Sequence, residues 1–371
     1  AGRPGSRSRR SPAPRRWACT RESASRPRWA GWGRVAPNPL VGAVVVNGGE
    51  VVGEGYHTEY GRPHAEVEAL RAAGEAARGA TLYVTLEPCA HHGKTPPCTD
   101  AILAAGVRRV VFAASDPNPK AAGGCALLEG AGVEVVRGVE LRAALDLNAA
   151  FFHALAGPER PWTELKLALS LDARVADRDG RSVWITGDLA REEVHRMRAG
   201  FDAVGVGIGT ALADDPKLTV RGPVEPRVPL TRVVFDRALR LPADGHLART
   251  AREVPVALVS RPDAPGERRA ALEALGVRVL AAETLADGLR ELRRAGVSSL
   301  FCEGGAALSA ALLEAGLVDR LHLFYAPLFL GPEGASPFAG IASPAVGEAK
   351  RWRRLRTEAF GPDTLVTLAA E

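Results

Sequence analysis

The 371-residue sequence predicts an α/β protein built from two domains. Three observations carry that expectation. Short β-rich runs alternate with helical segments over most of the chain, a pattern that covers a sheet with helices. The length exceeds that of one average domain. A short stretch with two prolines and two charges, residues 156–161 (AGPERP), interrupts the alternation. The expected division is therefore a basic segment at 1–29, one domain at 30–157 and a second at 158–371.

In the first half, LVGAVVV (40–46) and VVGEGYH (51–57) are β-rich runs joined by Asn-Gly-Gly-Glu, a hairpin signal. HAEVEALRAAG (64–74) reads as a helix closed by glycine. ATLYVTL, CTDAILAAG and RRVVFAA follow as strand, helix and strand. Beyond the proline segment, WTELKLALSLDARVA, FDAVGVGIGT, TRVVFDRAL, VPVALVS, VRVLAA, VSSLFCEGG and RLHLFYAPLFL read as strands between helical segments. No internal repeat relates the two halves.

Composition narrows the class further. Hydrophobic residues make up 46% and charged residues 25%, the profile of a soluble globular chain, and no apolar run nears the roughly 18 residues of a membrane helix. The net charge of +5 is uneven: residues 1–33 hold nine Arg and one Glu, leaving −3 for the rest. The pI is thus a poor argument for a nucleic-acid partner. Residues 1–29, rich in Arg, Ser and Pro, bury too little apolar surface to offset their ordering entropy, so disorder or an aberrant segment is expected. A transit peptide shares this composition, although prolines weaken an amphipathic helix. Five scattered cysteines (Cys19, Cys89, Cys98, Cys125, Cys302) suit a reducing compartment and metal or catalytic use, not a disulfide framework.

The strongest chemical signal is His64-Ala65-Glu66, then Glu87-Pro88-Cys89, then Cys98. Zinc takes His nitrogen and Cys thiolate, and a catalytic site pairs three protein ligands with an open fourth position. Metal-bound water there has a pKa near 7. An uncoordinated carboxylate such as Glu66 can carry protons between water, ring and departing amine. The order matches the His-x-Glu and Pro-Cys signature of zinc deaminases, with one departure: nine positions, not three, separate Cys98 from Cys89. Isolated core cysteines and a capping histidine are the plain alternative, outweighed by three ligands and an acid falling in order. His91, His92 and Lys94 lie in the insertion, either at the mouth of the site, suiting a phosphorylated substrate, or on a solvated loop.

In the second half, Gly205-Val206-Gly207-Ile208-Gly209 resembles part of a dinucleotide fingerprint but lacks the full spacing, and no clear helix opens after it. Glu303-Gly304-Gly305 sits between a strand and a helix, where backbone amides bind phosphate or glycines merely make a tight turn. Lys166 is either a polar participant beside these positions or a structural lysine.

Here a resemblance enters. Residues 37–44 (PNPLVGAV), Gly55-Tyr56-His57, His64-Ala65-Glu66 and EPCAHHGKTPPCTDAI resemble the deaminase half of the bifunctional riboflavin biosynthesis protein family. LKLALSLDARVA, SVWITG, HRMRAGFDAVGVGIGTALADDPKLTVR and the EGG-helix resemble its reductase half. The resemblance covers about residues 30–371. It implies a cytidine-deaminase-like domain followed by a dihydrofolate-reductase-like domain, with zinc and NADPH as cofactors. It further implies His64, Cys89 and Cys98 as zinc ligands, Glu66 as the proton carrier, and Asn38, His57, His91 and Lys94 as substrate contacts. In the second half it implies Ala168, Trp184, Thr210, Asp214 and Gly305 at the cofactor, and Ser182, Arg198, Leu218, Arg221 and Glu303 at the substrate. Two arginines suit a phosphate end, because guanidinium binds it bidentately.

The expected activity is deamination of a phosphoribosylated diaminopyrimidine, then reduction of its ribose to a ribityl chain. A cytoplasmic homo-oligomer acting on a small molecule, with neither nucleic acid nor membrane as partner, completes the expectation. Two readings compete: a zinc deaminase acting on a flipped nucleic-acid base, and a binding protein that keeps the fold without catalysis. The long insertion and second domain argue against the first. The intact Glu66 and zinc ligands argue against the second.

Overall fold

The computed structural model describes residues 30–119, 122–182, 184–222, 224–342 and 344–371. The disorder expected of residues 1–29 lies outside these. The described chain divides into two compact units. One holds Val35–Phe152 with the described residues before Trp32, and the other holds Trp32–Arg34 and His153–Glu371. No described helix is long and apolar enough to cross a membrane.

The first unit is a five-stranded sheet flanked by helices. Strands β1 (Gly42–Asn47) and β2 (Glu50–Tyr56) form an antiparallel hairpin. Its turn residues Gly48 and Gly49 both have positive φ, 59° and 89°, the conformation that favours glycine in a two-residue turn. Next come α1 (Ala65–Ala73), a single 3₁₀ turn (Gly74–Ala77), β3 (Thr81–Leu86), α2 (Cys98–Ala104), β4 (Arg109–Ala114), α3 (Gly124–Gly130), β5 (Glu134–Val136), α4 (Leu141–Leu147) and α5 (Ala149–Leu155). The spatial order is β2-β1-β3-β4-β5, with β3, β4 and β5 parallel. Val45, Leu82, Val84, Val110 and Phe112 from the strands meet Ala69, Ile102 and Leu128 from the helices, all at most 1% exposed. Gly53 and Gly55 of β2 face α1 so closely that a Cβ on either would overlap the backbone of Ala69. This contact seats the first turn of α1, and with it Glu66, against the sheet.

The second unit comprises β6 (Trp162–Leu169), α6 (Asp188–Arg198), β7 (Ala203–Gly207), α7 (Ile208–Asp214), β8 (Thr231–Phe235), α8 (His246–Arg249), β9 (Val256–Ser260), α9 (Gly266–Ala274), β10 (Arg278–Ala281), α10 (Leu285–Arg294), β11 (Ser299–Cys302), α11 (Ala306–Glu314), β12 (Arg320–Tyr325), β13 (Trp352–Phe360) and β14 (Asp363–Ala370). Its sheet runs β10-β9-β8-β7-β11-β6-β12-β14-β13. The run from β10 to β12 is parallel, and β14 and β13 close the edge as an antiparallel hairpin. That hairpin was not among the expected strands. Every second residue of DTLVTLAA is buried, yet the buried set includes Asp363 and Thr367, so the turn at Gly361 (φ 63°) was the one local signal for it.

Alternation along β6 gives the sheet two different faces. Leu165, Leu167 and Leu169 enter the apolar core with Leu321 and Leu323. Trp162, Glu164, Lys166 and Ala168 point the other way, beside Arg320 and His322 of β12. There Glu164, 5% exposed, accepts from His322 Nε2 at 2.6 Å and from Trp162 Nε1 at 2.7 Å, and pairs with Arg320 at 3.2 Å. Burial alone would push Glu164 upward, but Arg320 and the His322 hydrogen bond bring it down to about 2. Burial holds His322 below its ordinary value, and burial together with Arg198 and Arg221 takes His195 to about 4.

Each of these groups carries extra protons in the unfolded chain as the solution acidifies. The stability of this unit should therefore hold above pH 7, decline as pH falls below about 6.5, and decline again below about 4.5. Chemical denaturation at stepped pH measures this. A midpoint unchanged between pH 7.5 and 5 would contradict it, and His322→Gln should shallow the first decline.

Candidate active sites

In the first unit, three local features converge. His64 stands at the N-cap of α1 with extended backbone (φ −75°, ψ 165°), Cys89 follows β3 through Pro88, and Cys98 opens α2. The eight-residue excursion between the cysteines folds back on itself: Cys98 N–H donates to Cys89 Sγ at 3.4 Å, and Thr99 N–H donates to the Cys89 carbonyl at 3.3 Å. His64 Nδ1 lies 3.2 Å from Cys98 Sγ and 3.6 Å from Cys89 Sγ, and the three ligand atoms all fall within 4.8 Å of one another. A tetrahedral zinc with ordinary bond lengths sets its nitrogen and sulfur ligands about 3.6 Å apart. The donor set and its spacing both fit that ion. Cys89 is pushed down, chiefly by its hydrogen bond with Cys98, which favours the thiolate form that zinc takes.

Glu66 is only 3% exposed. Burial pushes its carboxyl upward, with its own backbone, His64 and the Cys98 thiol among the groups that oppose the shift. His57, equally buried, meets the His64 ring edge-on at a centroid distance of 5.3 Å. Its Nδ1 faces the Pro63 carbonyl at 3.1 Å and its Nε2 faces Asn38 Nδ2 at 3.2 Å. Those partners define one tautomer: Nδ1–H donates to Pro63 and Nε2 accepts from Asn38. Burial lowers its pKa, which keeps it neutral.

The insertion divides in character. His92 and Lys94 are exposed, and Lys94 Nζ sits 4.1 Å over the Tyr60 ring. His91 is half-buried, with an Nδ1 that has no hydrogen-bond partner among the described residues.

Asp116 was missed. It lies just beyond β4, and its charge acts on His64, while Glu87, Cys89 and His91 act on it. Glu87 anchors the same loop, accepting from Asp116 N–H and Cys125 N–H at 3.4 Å each. The available signal was position: β4 is the parallel neighbour of β3, so the residues after both strands emerge at one sheet edge.

In the second unit, β11 lies between β7 and β6, so the carboxyl ends of three parallel strands meet where the strand order reverses. That is the usual place for a ligand in an open α/β sheet. Ala168 is half-buried on β6 and Glu303 follows β11, its N–H donating to the Gly205 carbonyl at 2.8 Å. Gly305 caps α11, and a Cβ there would lie 2.8 Å from Thr210 Oγ1, so glycine is what lets α7 and α11 approach. Asp214 stands one turn beyond Thr210, exposed. One expectation is corrected: a helix does open after the glycine run. Gly207 is extended (φ −77°, ψ 156°) and caps α7, whose apolar helix formers begin at Ile208.

Arg198 binds Glu303 through both edges: Nε donates to Oε1, and Nη2 donates to Oε2 at 2.9 Å. Lys166 and His195 join this group. The Lys166 ammonium is lowered by burial, with Glu303 opposing and Arg198 reinforcing the shift. The charge of the exposed Arg221 also reaches His195. His195, too, was not foreseen. Leu218 is 4% exposed, so any ligand contact it makes is through its backbone. No hydrogen bond or ion pair among the described residues ties Ser182, Trp184 or Asp214 to this group. Trp184, 70% exposed, stacks under the Arg191 guanidinium at 4.3 Å, beside a cleft of about 360 Å³ whose walls include Thr186, Asp188, Pro327 and Asp363.

Comparison with known proteins agrees with both halves. Residues 28–114 match the cytidine and deoxycytidylate deaminase zinc-binding region, and residues 161–366 match the RibD C-terminal domain. The fold and site thus define an enzyme that joins a zinc-dependent deaminase domain to an NADPH-dependent reductase domain. The chain is 41% identical to riboflavin biosynthesis protein RibD of Aquifex aeolicus (strain VF5), covering 90% of this chain and 93% of the relative. It is 40% identical to the Escherichia coli (strain K12) protein of the same name, at the same coverage. Among solved structures, RibD of Acinetobacter baumannii (form 1) superposes with a TM-score of 0.76 at 38% identity, covering 93% of this chain and 96% of that one. A Thermotoga maritima diaminohydroxyphosphoribosylaminopyrimidine deaminase/5-amino-6-(5-phosphoribosylamino)uracil reductase does so at 0.75 and 35% identity, covering 92% and 95%. The chain belongs to the RibD family of riboflavin biosynthesis proteins.

Proposed function

We propose that this chain deaminates 2,5-diamino-6-(5-phosphoribosylamino)pyrimidin-4-one by hydrolysis and then reduces the ribosyl group of the product to ribityl. The observation that carries the reading is His64, Cys89 and Cys98 gathered within 4.8 Å, with the buried Glu66 two residues from the histidine. Zinc held by those three ligands supplies an electrophile that acidifies water at its open position. Glu66 would take the proton of the attacking water and pass it to the ring nitrogen. It would then take the proton of the hydroxyl so added to the ring carbon and pass it to the amine as the C–N bond breaks and ammonia leaves. Asn38 and the neutral His57 orient the pyrimidine, and His91 and Lys94 face its polar end.

In the second domain NADPH supplies the hydride. Ala168, Trp184, Thr210, Asp214 and Gly305 hold the dinucleotide, while Ser182, Arg198, Leu218, Arg221 and Glu303 hold the substrate, with Lys166 beside them. The domains meet between residues 157 and 158, and the enzyme works as a cytoplasmic homo-oligomer on this small molecule, without nucleic acid. A nucleic-acid deaminase is disfavoured because the reductase domain would have no role in it.

A coupled assay tests the scheme by following ammonia release and NADPH absorbance with and without a zinc chelator. Chelator-sensitive ammonia release, followed by NADPH consumption, is the expected result. NADPH consumption from the undeaminated substrate would overturn the order of steps.

A further inference from the structure

We propose that His195 is a positioning residue of the reductase site, holding Arg198 and the backbone around Thr219 in the geometry that receives the anionic end of the substrate. The inference rests on the reading of that site given above.

His195 lies one turn before Arg198 on α6, with its ring half-buried. Arg198 Nη1 is 3.3 Å from His195 Nδ1 and donates to the Thr219 carbonyl at 2.8 Å, and that carbonyl also faces the His195 ring. A guanidinium has five N–H groups. Two are directed at the Glu303 carboxylate and two are divided between Thr219 and His195, which leaves one, on Nη2, in a fixed direction.

The segment so held is itself unusual. Leu218 is buried and has a φ of 49°, a left-handed conformation that a leucine keeps only under restraint from its surroundings. Three residues further on is Arg221, which makes no hydrogen bond or ion pair among the described residues. Fixing the Thr219 carbonyl therefore also sets where Arg221 leaves the fold.

Charge arithmetic agrees. Lys166, Arg198 and Arg221 against Glu303 leave an excess of two positive charges, the complement of a phosphate dianion. A neutral histidine adds an acceptor for Arg198 without adding a third excess charge. Burial and the two arginines keep His195 in that form, down to about pH 4.

The test uses the full-length enzyme and the deaminated substrate, with and without its phosphate. His195→Leu removes the acceptor. It should raise KM for the phosphorylated compound about tenfold, or about 1.4 kcal/mol, with kcat and the KM for NADPH within about twofold. The KM for the dephosphorylated compound should not move. His195→Asn, whose Oδ1 stands near the place of Nδ1, should restore KM to within about threefold. If His195→Leu does not fold, His195→Gln, which presents no acceptor at that place, takes its part. An unchanged KM in the acceptor-less variant, equal rises for both compounds, or an Asn variant as impaired as the Leu variant would overturn the proposal. A wild-type enzyme unable to reduce the substrate would instead defeat the reading of the site itself.

Discussion

Glu66→Gln is expected to cut deamination by about 10⁴-fold, the upper range for a positioned acid–base group, while zinc content stays at the wild-type level. The substitution preserves volume in a site where Glu66 is only 3% exposed, so the packing of α1 on the sheet survives. An amide cannot accept the water proton, and each later proton transfer in the scheme depends on that first one. Reduction of supplied deaminated product should remain within about twofold, because Lys166, Arg198 and Glu303 belong to the other unit. Metal analysis and the two half-reactions, measured separately, check this. Loss of both activities would end the picture of two independent sites.

Glu303→Ala is expected to have the second largest effect, a fall of at least about 100-fold in reduction with deamination preserved. Among the described residues, Glu303 is the one carboxylate facing Arg198 and Lys166. Its removal leaves two half-buried cations without their counter-charge, which costs stability as well as rate. Arg198 would also lose both bonds that orient its plane. Thermal melts separate the contributions: Glu303→Gln, which keeps an acceptor but not the charge, should recover part of the stability and little of the rate. A Glu303→Ala enzyme with normal reductase kinetics would remove Glu303 from the site.

The zinc cluster was legible because its chemistry is local. His64 and Glu66 share one helix start, and Cys89 and Cys98 bracket one loop, so short spacing is enough to bring them near each other. Asn38 and His57 needed the resemblance, since only the β1–β2 hairpin and the turn after it carry them to His64. Asp116 escaped because its place depends on β4 pairing beside β3, which a linear reading does not reveal. The reductase site was harder for the same reason, magnified. Arg198 and Glu303 are 105 positions apart and meet only because β11 inserts between β6 and β7. His195 was hidden by an ordinary-looking polar helix, HRMR, in which nothing marks one residue as facing inward. The missed C-terminal hairpin shows a different failure: the buried positions of DTLVTLAA are Asp363, Leu365, Thr367 and Ala369, no more apolar than the residues between them, so its period of two left no mark in the sequence.

The insertion of β11 has a consequence for how the protein is made. Both strands that hydrogen-bond to β6 lie far downstream, β11 beginning at Ser299 and β12 at Arg320. By contrast, all five strands of the first sheet have been made once the ribosome reaches Val136. At roughly 5–20 residues per second, β6 emerges some 7–28 s before its first partner. Through that interval both of its edges stay open to wrong pairings. Ribosome-bound chains stopped near residue 300 should therefore show a protease-resistant first domain and a second domain that is cleaved or held by chaperones. Synthesis through β12 should end that vulnerability.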